Sequence, residues 1–169
     1  MKLTAVILLG CAAALAGCLN DPVHDTAVGD LGGEAAGVRP GPTHRPGQPC
    51  LTCHGGSGPG KPTFSIAGTV YRSNDVKTAV GGVQVSIADA TGAVHTYVTN
   101  EAGNFYVESA SWQPVYPLLT SLSYGTLKTD MNTRIARDGS CGSCHGDPQG
   151  PAAAGHIFVT ANDYDFPKP

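Results

Sequence analysis

Two pentapeptides carry the reactive chemistry of this chain: Cys50-Leu51-Thr52-Cys53-His54 and Cys141-Gly142-Ser143-Cys144-His145. Each is a C-x-x-C-H, the attachment signature of c-type haem. The spacing has a physical basis. Two thiols three positions apart on one helical turn reach the two vinyl groups of a porphyrin as thioethers, and the adjacent His then projects its imidazole at the iron as proximal ligand. A Gly follows each copy, Gly55 and Gly146. Read this way, the cofactors are two covalently bound haem c groups, with thioether sulfurs from Cys50, Cys53, Cys141 and Cys144 and proximal nitrogens from His54 and His145.

Two other chemistries fit the thiols. A pair of C-x-x-C units could close one tetrathiolate zinc site, although the His of each copy would then have no task. Local disulfides with thioredoxin-like exchange are the other option, and they would want the motif at a helix start in a βαβ unit, which this chain does not show. For the sixth iron ligand the remaining candidates are His24, His44, His95, His156 and Met131. His44 precedes His54 and His156 follows His145 at similar spacing, each in a Gly- and Pro-rich loop able to fold back over a haem, so these two are the expected distal ligands. Which haem each serves stays open, and a crossed arrangement is allowed. Met131 is the less favoured alternative, since a lone Met is more often packing. His95 falls in a strand pattern and reads as a surface residue, and His24 falls in a tether. The run Gly55 to Lys61 comes close to a phosphate-cradling loop, but the next residue is Pro62, with no hydroxyl for magnesium and no N–H to donate. It reads instead as a flexible turn leaving the first haem. No paired carboxylates or Ser/His/Asp set appears elsewhere.

The elements that must hold these motifs are β-strands. Of 169 residues 23 are Gly and 13 Pro, which argues against a helical bundle. Val83, Val85 and Ile87 alternate, as do Val94, Thr96 and Val98, and the turn cluster Asp89 to Gly92 lies between them, so the two runs predict a hairpin. A second turn, Asn100 to Gly103, leads into a strand at Asn104 to Val107. Ser65 to Tyr71 predicts an opening strand and Leu118 to Tyr124 a later one. Short strands at this spacing suggest a small all-β antiparallel sandwich flanked by loop-rich haem-binding segments.

Gly68 to Tyr71, Ala79 to Val85 and Thr99 to Phe105 resemble the carboxypeptidase-regulatory-like domain, a transthyretin-like β-sandwich of exported bacterial proteins. The turn Asn100-Glu101-Ala102-Gly103-Asn104-Phe105 is the most specific part of that likeness. The resemblance implies a scaffold without catalytic residues of its own. A sandwich with a C-x-x-C-H on each side is similar to small exported multihaem c-type cytochromes.

The N-terminus joins Lys2 to an apolar run from Leu3 to Ala16, a secretory pattern too short to span a bilayer. It ends Leu15-Ala16-Gly17-Cys18, which resembles the lipobox of bacterial lipoproteins; this implies cleavage before Cys18 and lipidation of that residue. Leu19, where an Asp would favour inner-membrane retention, implies the outer membrane. The expected organisation is a signal peptide over 1–17, a lipid-anchored flexible tether over 18–43, a first haem segment over 44–62, the sandwich over 63–130, and a second haem segment with the tail over 131–169. With 13 acids against 10 Lys and Arg, the chain has no basic face for nucleic acid. The expectation is an exported electron carrier rather than an enzyme, anchored to a membrane by lipid, exchanging electrons with other envelope redox proteins or multihaem cytochromes, and open to self-assembly. Its rivals are a haem enzyme, such as a peroxidase or a reductase of a small oxyanion, and a non-redox β-sandwich binding or adhesion module with zinc-bound or stapled ends.

Overall fold

The opening strand is the spine of the molecule. Residues 64–73 combine β-branched and aromatic side chains, and this β1 (Phe64–Ser73) is buried over most of its length. The computed structural model describes residues 21–34, 36–74, 77–146, 154–163 and 166. It divides into a unit ending at Gly32 and a second unit, from Gly33 onward, that holds every strand and both C-x-x-C-H turns.

Seven strands form two sheets. Following β1 come β2 (Gln84–Ala88), β3 (Val94–Val98), β4 (Asn104–Glu108), β5 (Leu119–Tyr124), β6 (Leu127–Asp130) and β7 (Ile157–Thr160). One sheet has the order β4-β1-β7 and the other β3-β2-β5-β6. All pairings are antiparallel except β1 with β7. The fold is therefore an all-β, sandwich-like pair of sheets, as the strand spacing predicts. Ile66, Val70, Val83, Val85, Ile87, Phe105, Val107, Leu118 and Leu122 fill the space between them. Each such aliphatic side chain, fully buried, contributes about 1.5–3 kcal/mol.

The expected hairpin forms as β2 and β3, and its turn is held by Asp89. This buried carboxylate accepts from Thr91 N, Thr91 Oγ1 and Ala93 N through Oδ1, and from Val115 N through Oδ2. The register, however, turns the valines of β3 outward. Val85 pairs with Tyr97 and Ile87 with His95, so Val94 and Val98 point away from the core and are 62% and 59% exposed. His95 is exposed, as expected, and stacks on Trp112 with centroids 4.2 Å apart.

Two of the expected segments carry structure that the sequence pattern does not show. The tether over 18–43 contains a helix, α1 (Pro22–Asp30), because Asp21 caps the N–H groups of Val23 and His24 and Pro22 supplies a preset first turn. None of its residues is buried, which fits the absence of an apolar face in the sequence. The border drawn at residue 130 is also crossed: Leu118 bridges Ile135, Ala67 bridges Ser140, and β7 pairs with β1. Strand β7 is only four residues long and pairs with the much longer β1, so periodicity alone could not assign it. Residues 1–20, with the expected signal peptide and Cys18, lie outside the described residues. Among the described residues no helix is long and apolar enough to cross a membrane.

Candidate haem sites

Each C-x-x-C-H forms one short helical turn, α2 (Cys50–His54) and α3 (Gly142–His145). The first turn is initiated after Pro49, whose carbonyl accepts from Thr52 N at 3.0 Å. In the second, Cys141 O accepts from Cys144 N at 3.2 Å and from His145 N at 2.9 Å. The three-residue thiol spacing therefore becomes a single turn in both copies.

The chain after each turn comes back over it in the same way. Gly60 N donates to Cys53 O at 2.8 Å, and Ala154 N donates to Cys144 O at 3.2 Å. Two residues beyond Gly60 the Pro62 carbonyl accepts from His54 Nδ1 at 2.8 Å, and one residue beyond Ala154 the Gly155 carbonyl accepts from His145 Nδ1 at 2.7 Å. A carbonyl oxygen only accepts, so Nδ1 carries the proton in both rings and Nε2 keeps its lone pair. That tautomer is the one an imidazole needs to bind a metal through Nε2, with the backbone acceptor setting ring orientation and basicity. The Gly-rich run after His54, read as a loose turn, is thus the segment that delivers this acceptor.

His44 stands beside His54. The ring centroids are 5.9 Å apart and the planes are inclined at 78°. Two imidazoles on opposite sides of one metal have centroids about 6 Å apart, given metal–nitrogen bonds of about 2.0 Å. The loop that carries His44 is tied to the sandwich by the turn Asn100 to Phe105. Asn100 Nδ2 donates to Pro42 O at 2.6 Å, Asn104 Nδ2 donates to His44 O at 3.0 Å, and the buried Thr69 hydroxyl accepts from Gly47 N at 2.8 Å while donating to Asn104 Oδ1 at 2.7 Å. His54 in turn stacks on Phe64, and Phe64 on Tyr106, at 4.5 and 4.7 Å. These groups line a cavity of 430 Å³ whose walls include Cys50, His54, His44, Phe64, Phe105 and Tyr106. That volume falls within the range of about 300–1,000 Å³ usual for cofactor sites. A thiol, a proximal imidazole with Nε2 available, a second imidazole at metal-sharing distance and aromatic walls fit a haem.

The two turns, 91 positions apart in sequence, lie against each other. A Cβ on Gly142 would meet Gln48 O at 2.5 Å and Pro49 N at 2.8 Å, so the second turn packs on the residues that start the first. Cys141 is anchored to β1, with Ala67 O accepting from Cys141 N at 3.0 Å. A Cβ on the adjacent Gly68 would sit 2.7 Å from Cys141 Cβ. Burial pushes the Cys50 thiol up to about 11. Burial pushes Cys141 up to about 12, with the neighbouring Cys50 adding to it. Both are held as neutral thiols, the opposite of the depressed pKa of a thiol–disulfide exchange pair. All four cysteines are free of disulfide bonds.

Of the other expected ligands, His156 directly follows Gly155, whose carbonyl meets His145 Nδ1. His156 is buried with its ring stacked on Tyr71 at 4.1 Å, and no ring contact among the described residues joins it to His145. Met131 lines a shallow groove on the β3-β2-β5-β6 sheet with Ala88, Val94 and Leu119. His24 lies on α1 in the separate N-terminal unit. Sequence reasoning did not find Phe64, Tyr106 or Glu34 as parts of the first site. Phe64 and Tyr106 carry only strand signals, and Glu34 sits in a stretch without pattern. No family model, curated protein or solved structure matches this chain.

Proposed function

We propose that this protein is a dihaem c-type cytochrome, a lipid-anchored electron carrier of the bacterial cell envelope. The observation that carries the reading is the repeated arrangement of the two turns: in both, the returning loop accepts the proton of His Nδ1 and leaves Nε2 for iron, and both turns sit side by side on β1. The burial of the Cys50 and Cys141 thiols, which raises them above the ordinary thiol range, counts against a reactive thiol–disulfide exchange pair. When bound, each haem would supply a one-electron couple. Cys50, Cys53, Cys141 and Cys144 would attach the two groups, His54 and His145 would ligate the irons, and His44 would complete the first site. With the turns in contact, electrons entering at one haem would pass to the other within the chain and leave to a second envelope redox protein.

Intact mass and the visible spectrum of the denatured, exported protein test this reading. Two haems that stay with the chain after denaturation are expected. A mature chain of unmodified mass rejects it. One observation bears on a second reading for the second site alone: the His156 ring is stacked on Tyr71, and if it does not reach the iron that His145 would hold, that iron would be open to a small ligand, as in a haem enzyme. Carbon monoxide added to the reduced protein separates the two, since an unshifted Soret band removes the enzyme reading.

A further inference from the structure

Glu34 lies ahead of His44 in a stretch that the sequence reads as tether. Its Oε1 accepts from His44 Nδ1 at 2.9 Å and from Arg45 Nε at 2.9 Å. Its Oε2 is buried and has no hydrogen-bond partner among the described residues. An unmet carboxylate oxygen is unfavourable, so this group is held in place for the two donors on Oε1 and not for its own solvation. The Arg45 guanidinium forms an ion pair with the same oxygen, Nε to Oε1 at 2.9 Å, which keeps the carboxylate turned toward the loop that carries His44. Arg45 itself has φ of 49°, the left-handed region that residues with a side chain seldom adopt, and through this turn two consecutive side chains reach one oxygen.

The three imidazoles of the two sites differ in what their Nδ1 atoms meet. His54 and His145 donate to neutral backbone carbonyls, and His44 donates to a carboxylate. We propose that Glu34 is the positioning residue of the first haem site: it fixes the His44 ring with Nε2 as its ligand nitrogen and strengthens that nitrogen as a donor, which favours the ferric state of the iron it shares with His54. A carboxylate behind a ligating His raises the basicity of the ligand, while Arg45 keeps the carboxylate from turning elsewhere. The proposal rests on the dihaem reading and on His44 as sixth ligand.

The test compares potentiometric titrations of the holoprotein, wild type against Glu34→Gln and Glu34→Ala, with CO added to each reduced sample. The Gln oxygen still accepts from Nδ1 but carries no charge, so it separates charge from position. Glu34→Gln is expected to raise the midpoint of one haem by about tenfold in the ferrous-to-ferric ratio, about 59 mV for one electron, with CO binding as in wild type. Glu34→Ala is expected to raise the same midpoint and also to increase CO binding, because the His44 ring is no longer held. Unchanged midpoints and CO binding in both variants, at full haem content by mass, overturn the proposal and leave the dihaem reading standing. If His44→Ala binds no more CO than wild type, the proposal falls through its ligand. If the wild-type chain carries no haem, the dihaem reading fails first and takes the proposal with it.

Discussion

At the first C-x-x-C-H turn the chain comes back after a short Gly-rich loop and offers His54 the Pro62 carbonyl; at the second it comes back after a slightly longer one and offers His145 that of Gly155. The immediate solution is shared, and the surroundings are not. His54 stacks on Phe64 and has His44 beside it, held by a loop that the Asn100 to Phe105 turn pins to the sheet. His145 has no such neighbour among the described residues, and the histidine that follows it is built into the core on Tyr71. A pentapeptide therefore specifies its own turn, while the loop on its far side decides what the metal nitrogen faces. Two copies of one motif need not make two equivalent sites.

The comparison breaks most severely if one motif is deleted. Replacing Cys50 and Cys53 together with Ser is expected to remove one haem of two, read as the loss of one haem from the intact mass. If both haems vanish, the turns depend on each other for attachment as well as for packing.

The next effect distinguishes the two expected distal histidines. His44→Ala should make the first site bind CO in the reduced state. His156→Phe, which keeps a ring on Tyr71, should leave CO binding as in wild type. Equal responses from the two variants would make the sites alike and reject the asymmetry drawn here.

A smaller effect addresses the contact between the turns. Gly142→Ala introduces a methyl group into space already held by Gln48 O and Pro49 N. Overpacking of this kind costs about 1–3 kcal/mol, so the urea midpoint should fall. The two midpoint potentials should also move closer together as the turns separate. A variant as stable as wild type, with unchanged potentials, would mean that the turns do not press on one another.

The smallest effect concerns the scaffold both sites share. The hydrogen bond from the Thr91 hydroxyl, with further bonds from Val115 N, Thr91 N and Ala93 N, holds the Asp89 carboxyl below the usual carboxylate range. A depressed folded pKa adds stability above the unfolded value of about 3.9 and loses it as pH falls through the folded one. Asp89→Asn should therefore lower the thermal midpoint at pH 7, and the gap to wild type should shrink below about pH 4. A gap that is constant with pH would show that the carboxylate charge has no part in holding the hairpin.

Much of this architecture is legible in the residues. The β2–β3 hairpin follows from period-two alternation around a turn cluster, and β4 follows from the Asn-Gly turn before it, because these signals are local. His44 could be named as a candidate neighbour of His54 from its place in a Pro-rich loop, and the two rings do meet. Strand β7 could not, since three apolar residues and a Thr have no period of their own and gain a partner only by reaching β1 across a long separation. The outward turn of Val94 and Val98 was hidden as well: alternation gives the period of a strand, and the pairing of Val85 with Tyr97 gives its face. Glu34 lacked any signal, because a single acid in an unpatterned stretch acquires meaning only from the imidazole that it meets.

The sequence by itself determined which groups stand together for chemistry, since C-x-x-C-H places two thiols and an imidazole on one helical turn. It also determined the β-rich class, since alternation and turn residues act over a few positions. Only the tertiary structure decided that the two turns share the face of β1, that His44 stands beside His54 while His156 stacks on Tyr71, and that a carboxylate stands behind His44. Those are contacts between segments distant in the chain. They depend on which strand edges and small residues permit close approach, and Gly68 and Gly142 permit it here.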